Sequence, residues 1–150
     1  MTTRTFTLKL PPGLPLLNAN QRLHHAPRAR MTAEIRSKAM AACSEDEHMR
    51  AALAATNPAP ALQHAYILGV LHPATRRRID PANFYPSFKA AIDGLVDAGV
   101  LEDDDHTRLV GPDMRIGPLV KGGQLTLVIQ EITAVTHAAF QWPTRQEATT

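Results

Sequence analysis

Three consecutive arginines, Arg76, Arg77 and Arg78, stand just ahead of Asp80, and the stretch they open closes on Glu102, Asp103, Asp104 and Asp105, with Lys89 between. Guanidinium groups suit phosphate oxygens, and carboxylates suit a hard cation. Crowded acids raise one another's pKa and repel unless a cation neutralises them, so the spacing points to a metal site beside an anion-binding surface. Oxygen donors without cysteine favour Mg2+ or Mn2+. Two such ions about 3.5 to 4 Å apart activate a water and stabilise the leaving oxygen of a phosphodiester. The candidate ligands are Asp80, Asp104, Asp103 and Asp105. Lys89, with its compact ammonium, is placed to neutralise charge developing on a scissile phosphate. The chemistry expected is hydrolysis of a nucleic-acid backbone.

Each of these residues also has an ordinary structural use. Asp80 followed by Pro81 reads as a helix N-cap with proline at the first helical position. The acids after Leu101 read as a solvated loop. Lys89 and Asp93 read as a helix-surface ion pair worth about 0.3 to 0.5 kcal/mol. The arginine run reads as an exposed strand end, and His106 beside Asp105 is a minor candidate for a catalytic role. Cys43 reads as a small buried residue, and Trp142 as packing at an edge or an interface.

Charge divides along the chain. Residues 1 to 39 hold seven Lys or Arg against Glu34 alone, whereas residues 79 to 105 hold Lys89 against seven acids. A basic face for a polyanion around an acidic pocket for a cation gives such a split. Asn20, Arg22, Arg28 and Arg30 lie in a stretch, Leu16 to Arg30, that reads as an ordered but irregular loop offering amide and cationic groups to phosphates. With 150 residues, 44% hydrophobic and 20% charged, residues 1 to 140 are expected to form one domain, and 141 to 150 a polar tail. A single cysteine excludes an internal disulfide. No run approaches the ~20 apolar residues that cross a bilayer, and no glycine loop for a nucleotide cofactor is present. A cytoplasmic protein without a membrane partner is expected.

The elements that must position these groups follow from periodicity. Arg4 to Leu10 alternates as a half-buried strand ended by the prolines of Leu-Pro-Pro-Gly-Leu-Pro. Thr32 is expected to cap a helix running to about Ala55, with Ile35, Ala39, Ala42, Met49 and Leu53 inward. Leu62 to Leu71 is nearly all apolar and predicts a central strand covered on both faces. A helix from Pro86 to Gly99 buries Phe88, Ala91, Ile92, Leu95 and Val96. Strands are expected over Leu109 to Ile116, interrupted at Gly111 and Pro112, and over Gln124 to Ile132. The fold class is therefore α+β: a mixed sheet of about four strands packed by two main helices, in the order β-α-β-α-β-β.

The combination Arg-Arg-Arg-Ile-Asp, Asn83, then Lys-Ala-Ala-Ile-Asp-Gly-Leu-Val-Asp-Ala-Gly-Val-Leu-Glu-Asp-Asp resembles the RusA family of Holliday-junction resolvases, small dimeric endonucleases of phage and prophage origin. The likeness covers Arg76 to Asp104 and extends more weakly to the first strand, to Asn18, Asn20 and Arg22, and to the Lys121-Gly122-Gly123 turn. It implies a homodimer that cuts four-way junctions and other branched DNA with Mg2+ or Mn2+. By the same resemblance Asp80 is the first metal ligand, Asn83 the family asparagine, Lys89 the functional lysine and Asp104 the distal ligand, with Asp103 beside it. Two departures stand out. Three additional residues separate Asn83 from Lys89, and Ala82 occupies the place of a second metal-binding aspartate. Asp105, Asp103 or Asp93 is then the replacement, or the chain binds branched DNA without cutting it.

Overall fold

Phe88 packs against Gly69, so close that a Cβ at Gly69 would come within 2.6 Å of the ring. This contact seats a helix on the middle of a sheet. In the computed structural model, which describes residues 2 to 143, the elements are β1 (Thr5–Lys9), α1 (His25–Glu45), α2 (Glu47–Thr56), β2 (Ala65–His72), a 3-10 turn (Pro81–Phe84), α3 (Tyr85–Ala98), β3 (Leu109–Ile116), β4 (Gln124–Glu131) and α4 (Ala134–Ala139). The strands form one sheet in the order β1-β4-β2-β3, with β3 parallel to β2 and the other pairs antiparallel. The architecture is the α+β fold with a four-stranded mixed sheet expected from the sequence. A parallel neighbour cannot be reached by a tight turn, and α3 supplies the crossover from β2 to β3.

Alternation decides which face of the sheet is covered. Phe6 and Leu8 of β1, Ala65, Ile67 and Leu71 of β2, and Leu125, Leu127 and Ile129 of β4 are buried, and they join Ile35, Ala39, Phe88, Ile92 and Leu95 from the helices in one core. The opposite face of β2 is only half-buried. The expectation of a strand covered on both faces is corrected accordingly: the continuous apolar run of β2 reflects its central position between β4 and β3, not two helical layers. Edge strand β3 carries its expected irregularity at Gly111 and Pro112. The register slips there opposite Tyr66 to Leu68, and Gly111 takes a positive φ of 103°.

The long helix expected from Thr32 to about Ala55 is two helices, and it begins earlier. α1 starts at His25, so Arg28 and Arg30 lie on a helix and not in an irregular loop; Thr32 is inside that helix, its hydroxyl donating to the Arg28 carbonyl. The break falls at Asp46, whose carboxylate accepts from Met49 N and caps α2. An internal cap of this kind is a stronger signal than threonine at position 32, because it satisfies an amide that the helix leaves unpaired. α4 was not anticipated, since its six residues are too few to show a period. The expected polar tail lies mostly outside the described residues; of its first members, Trp142 is 92% exposed. Among the described residues no helix is long and apolar enough to cross a membrane.

α1 crosses α3 at a place where neither has a large side chain. A Cβ at Gly94 would sit 2.3 Å from the Arg36 carbonyl oxygen and 2.9 Å from the Ala39 side chain. Gly94→Ala is therefore expected to lower the unfolding free energy by about 1–3 kcal/mol through overpacking, read from the midpoint of urea denaturation. An unchanged midpoint would show that the two helices do not depend on this approach.

Candidate functional site

α3 begins where Asp80, with extended backbone, accepts a hydrogen bond from Ala82 N at 3.0 Å and starts the 3-10 turn. Pro81 follows at the first helical position, where a missing N–H costs nothing. The helix ends at Gly99, which takes a φ of 91° that other residues rarely adopt. Between these stops Lys89 faces away from the core. Its ammonium donates to Asp93 at 2.7 Å, one helical turn on, and to Asp104 of the loop beyond the helix. Two residues fifteen positions apart, singled out as functional lysine and distal ligand, are thus in direct contact.

Burial by itself disfavours the Lys89 ammonium, but its bonds to Asp104 and Asp93, and their charges, outweigh this and hold its pKa above the ordinary lysine range. The bond from Lys89 holds the Asp104 carboxyl below the usual carboxylate range, against a smaller opposing cost of burial. The acid cluster is otherwise divided among local partners. Asp103 accepts from Asp104 N at 2.7 Å, Asp105 accepts from Thr107 N and hydroxyl, and Glu102 accepts from Arg108 at 2.7 Å. The bond to Thr107 also lowers the Asp105 pKa. Asp97 takes a two-pronged bond from Arg36 of α1, at 2.5 and 2.8 Å. The charge division read along the chain is therefore partly closed in space: Arg36, from the basic segment, neutralises one of the acids.

These pairings bear on the expectation of a metal cage. Oxygen donors suit a hard cation, and Asp80 Oδ2 and Asp104 Oδ1 each take no hydrogen bond among the described residues. Among the described residues, however, no group of three or more His, Cys, Asp or Glu side chains is arranged to hold an ion. The expected ligands have separate partners within the protein: Asp80 caps the turn ahead of α3, Asp103 and Asp105 serve their own loop, and Lys89 is the cation on Asp104. The donor set fits a hard cation in kind; in number it is incomplete, with Ala82 where a further carboxylate was expected.

The DNA-contact candidates fall into two groups. Ala19 N donates to the Asn83 carbonyl at 2.7 Å, and the buried Ser87 hydroxyl donates to Leu17 O at 2.8 Å while accepting from Leu17 N at 2.6 Å. These three bonds fasten the loop of Asn18, Asn20 and Arg22 to the start of α3, and Asn20 and Arg22 are exposed. Sequence reading passed over Ser87; a hydroxyl amid the apolar positions of α3 was its one signal. Arg76, Arg77 and Arg78 are all exposed, and the ion pairs among the described residues involve none of them. Arg28 and Arg30 occupy the first turns of α1. His106 is exposed and contributes its carbonyl to His137, not its ring to the acids. Cys43 is fully buried, and burial pushes its thiol up to about 12.

No protein-family model matches the chain, and no curated protein matches it as a relative.

The Lys89 pairings set a pH dependence. Asp104, with its folded pKa depressed, adds stability above its unfolded pKa of about 3.9, and this is lost as pH falls through the folded value. Lys89, with its folded pKa raised, adds stability that is complete below about 10.4 and is lost as pH rises through the folded value. Lys89→Met is expected to bring the Asp104 carboxyl up to or above the ordinary range in an NMR titration, and to flatten the acid limb of the stability profile. At neutral pH the loss should be only about 1 kcal/mol, because the Lys89 side chain is 43% exposed and solvent screens the pair. An Asp104 carboxyl that titrates alike in both proteins would remove Lys89 as the cause.

Proposed function

We propose that the chain is a metal-dependent endodeoxyribonuclease of the RusA kind, selective for four-way junctions and other branched DNA and acting as a homodimer in the cytoplasm of a bacterial host or phage-infected cell. The observation that carries this reading is the Lys89–Asp104 ion pair between α3 and the loop beyond it, with the Asp80 cap and the basic run ahead of the same helix. A lysine spent only on helix solubility would need no partner beyond Asp93. Arg76, Arg77 and Arg78, with Arg22, Arg28 and Arg30, give the surface a sequence-independent hold on the phosphate backbone, while Asn20 and Asn83 offer amides. Lys89 supplies fixed positive charge where a phosphoryl group gains negative charge. Mg2+ or Mn2+ on Asp80 and Asp104, with Asp103 or Asp105 in place of the carboxylate absent at Ala82, would supply activation of water and stabilisation of the leaving oxygen.

A second reading, a branched-DNA-binding dimer that does not cut, is favoured by one observation: three ligating side chains do not assemble among the described residues. Incubating the protein with a synthetic four-way junction and Mg2+ or Mn2+ separates the two. Paired, symmetric nicks are expected, with Asp80→Asn and Asp104→Asn reducing cleavage by at least about a hundredfold, on the scale of losing one electrostatic catalytic group. Junction affinity should stay close to that of the parent. Junction binding without any nick, and without carboxylate-dependent Mn2+ uptake in calorimetry, would favour the non-cutting reading; wild-type cleavage in either variant would take that aspartate out of the mechanism.

A further inference from the structure

A cleft of about 260 Å3 opens beside the Asp80 turn. Two glycine turns in direct contact help to line it. Gly13 N donates to Gly123 O at 2.9 Å, and a Cβ at Gly122 would come within 3.1 Å of Gly13 Cα. Gly13, Gly122 and Gly123 all have positive φ, near 80°, so backbone conformation disfavours side chains at all three, and close approach to Gly13 does so again at Gly122. Leu14, Leu16, His72, Ile79, Phe84 and Arg77 line it as well. Ile79 and Phe84 bracket the Asp80 to Asn83 turn, so the cleft and the candidate site share a segment of chain.

Size, lining and charge narrow what the cleft takes. Pockets for drug-sized molecules run from about 300 to 1,000 Å3, and this one lies below that range, with room for a single flat ring system. Leu14, Leu16, Ile79 and Phe84 in its lining are aliphatic or aromatic, which suits the face of a ring, and His72 adds a polar ring. Arg77 has no carboxylate partner among the described residues and belongs to the basic run, which suits a phosphate attached to that ring.

We propose that this cleft receives one DNA base, unstacked at a branch point, with its phosphate on Arg77. The inference rests on the proposed action on branched DNA and supplies a basis for selectivity. Bases at a branch point are already partly unstacked, so drawing one out costs less there than in a duplex, where stacking and pairing oppose it. A base held in the cleft anchors the strand whose phosphates run past Asp80 and Lys89.

The test is a binding cycle without divalent metal, so that cleavage plays no part. Ala74 lies on the exposed rim of the cleft, outside the core, and Ala74→Trp fills the mouth while leaving the fold's contacts in place. A four-way junction carrying one abasic nucleotide at the crossover is compared with the intact junction, each against the parent protein and Ala74→Trp, with linear duplex as control. The parent is expected to bind the abasic junction about tenfold more weakly at the best of the crossover positions, in keeping with the loss of one stacked base. Ala74→Trp should bind the intact junction with a similar loss, show no further loss with the abasic one, and bind duplex as the parent does. Equal affinity of the parent for intact and abasic junctions at every crossover position, or losses that simply multiply, would overturn the cleft assignment while leaving the nuclease reading standing. Failure to prefer any branched DNA over duplex would overturn both.

Discussion

One ammonium group does the work that a crowded acidic loop otherwise leaves undone. Lys89 reaches Asp93 within its own helix and Asp104 beyond the helix end, and so fixes the 102 to 108 loop against α3. Without a positive charge there, Asp93 and Asp104 would face each other with only solvent to screen them. The loop's other acids are settled locally by Thr107, Arg108 and a backbone amide. Asp80 Oδ2 and Asp104 Oδ1, among others, take no hydrogen bond among the described residues. The same ion pair is thus a structural brace and the feature on which the proposed function rests.

Everything that places Lys89 comes from packing further in. Phe88, its neighbour in the chain, is fully buried over Gly69, which fixes the rotation of α3 on the sheet and turns Lys89 outward. Gly94 lets α1 close on the outer side of α3, and Arg36 of α1 takes Asp97 from the helix's last turn. Ser87, buried two residues before Lys89, ties the N-terminal loop to the helix start. The loop with its amides, the helix with its lysine and the acids after it are therefore held as one body by buried contacts, while the arginines at the end of β2 stay exposed. A rigid scaffold with charged groups left on its connections is the usual division of labour in a binding site.

The half-buried second face of β2 and the irregular edge strand β3 set the limits of the domain. Tyr66 on that face donates to Asp113 at 2.8 Å, so polar groups there find partners without a covering layer. Pro112 and the bulge opposite Tyr66 to Leu68 roughen the free edge of the sheet against unwanted strand addition.

Short-range chemistry was legible in the residues themselves. The alternation of Phe6, Leu8 and Leu10, the proline stop after it, the caps at Asp80 and Gly99, and the interruption at Gly111 and Pro112 all depend on neighbours a few positions away, and all stand where the sequence placed them. The start of α1 and the break at Asp46 were not legible, because Thr32 looked like a cap while the helix begins after His24 with no side-chain cap at all. The candidate site divided along the same line. That acids, a lysine and arginines were concentrated between Arg76 and Asp105 is a property of composition. Which acid meets which cation is not, because ion pairs such as Arg36 with Asp97 or Lys89 with Asp104 join residues whose separation closes only when α1, α3 and the loop pack. Tertiary structure therefore decided that Asp104 is held by Lys89, that Asp103 and Asp105 serve their own loop, and that two glycine turns distant in sequence meet beside a cleft next to Asp80.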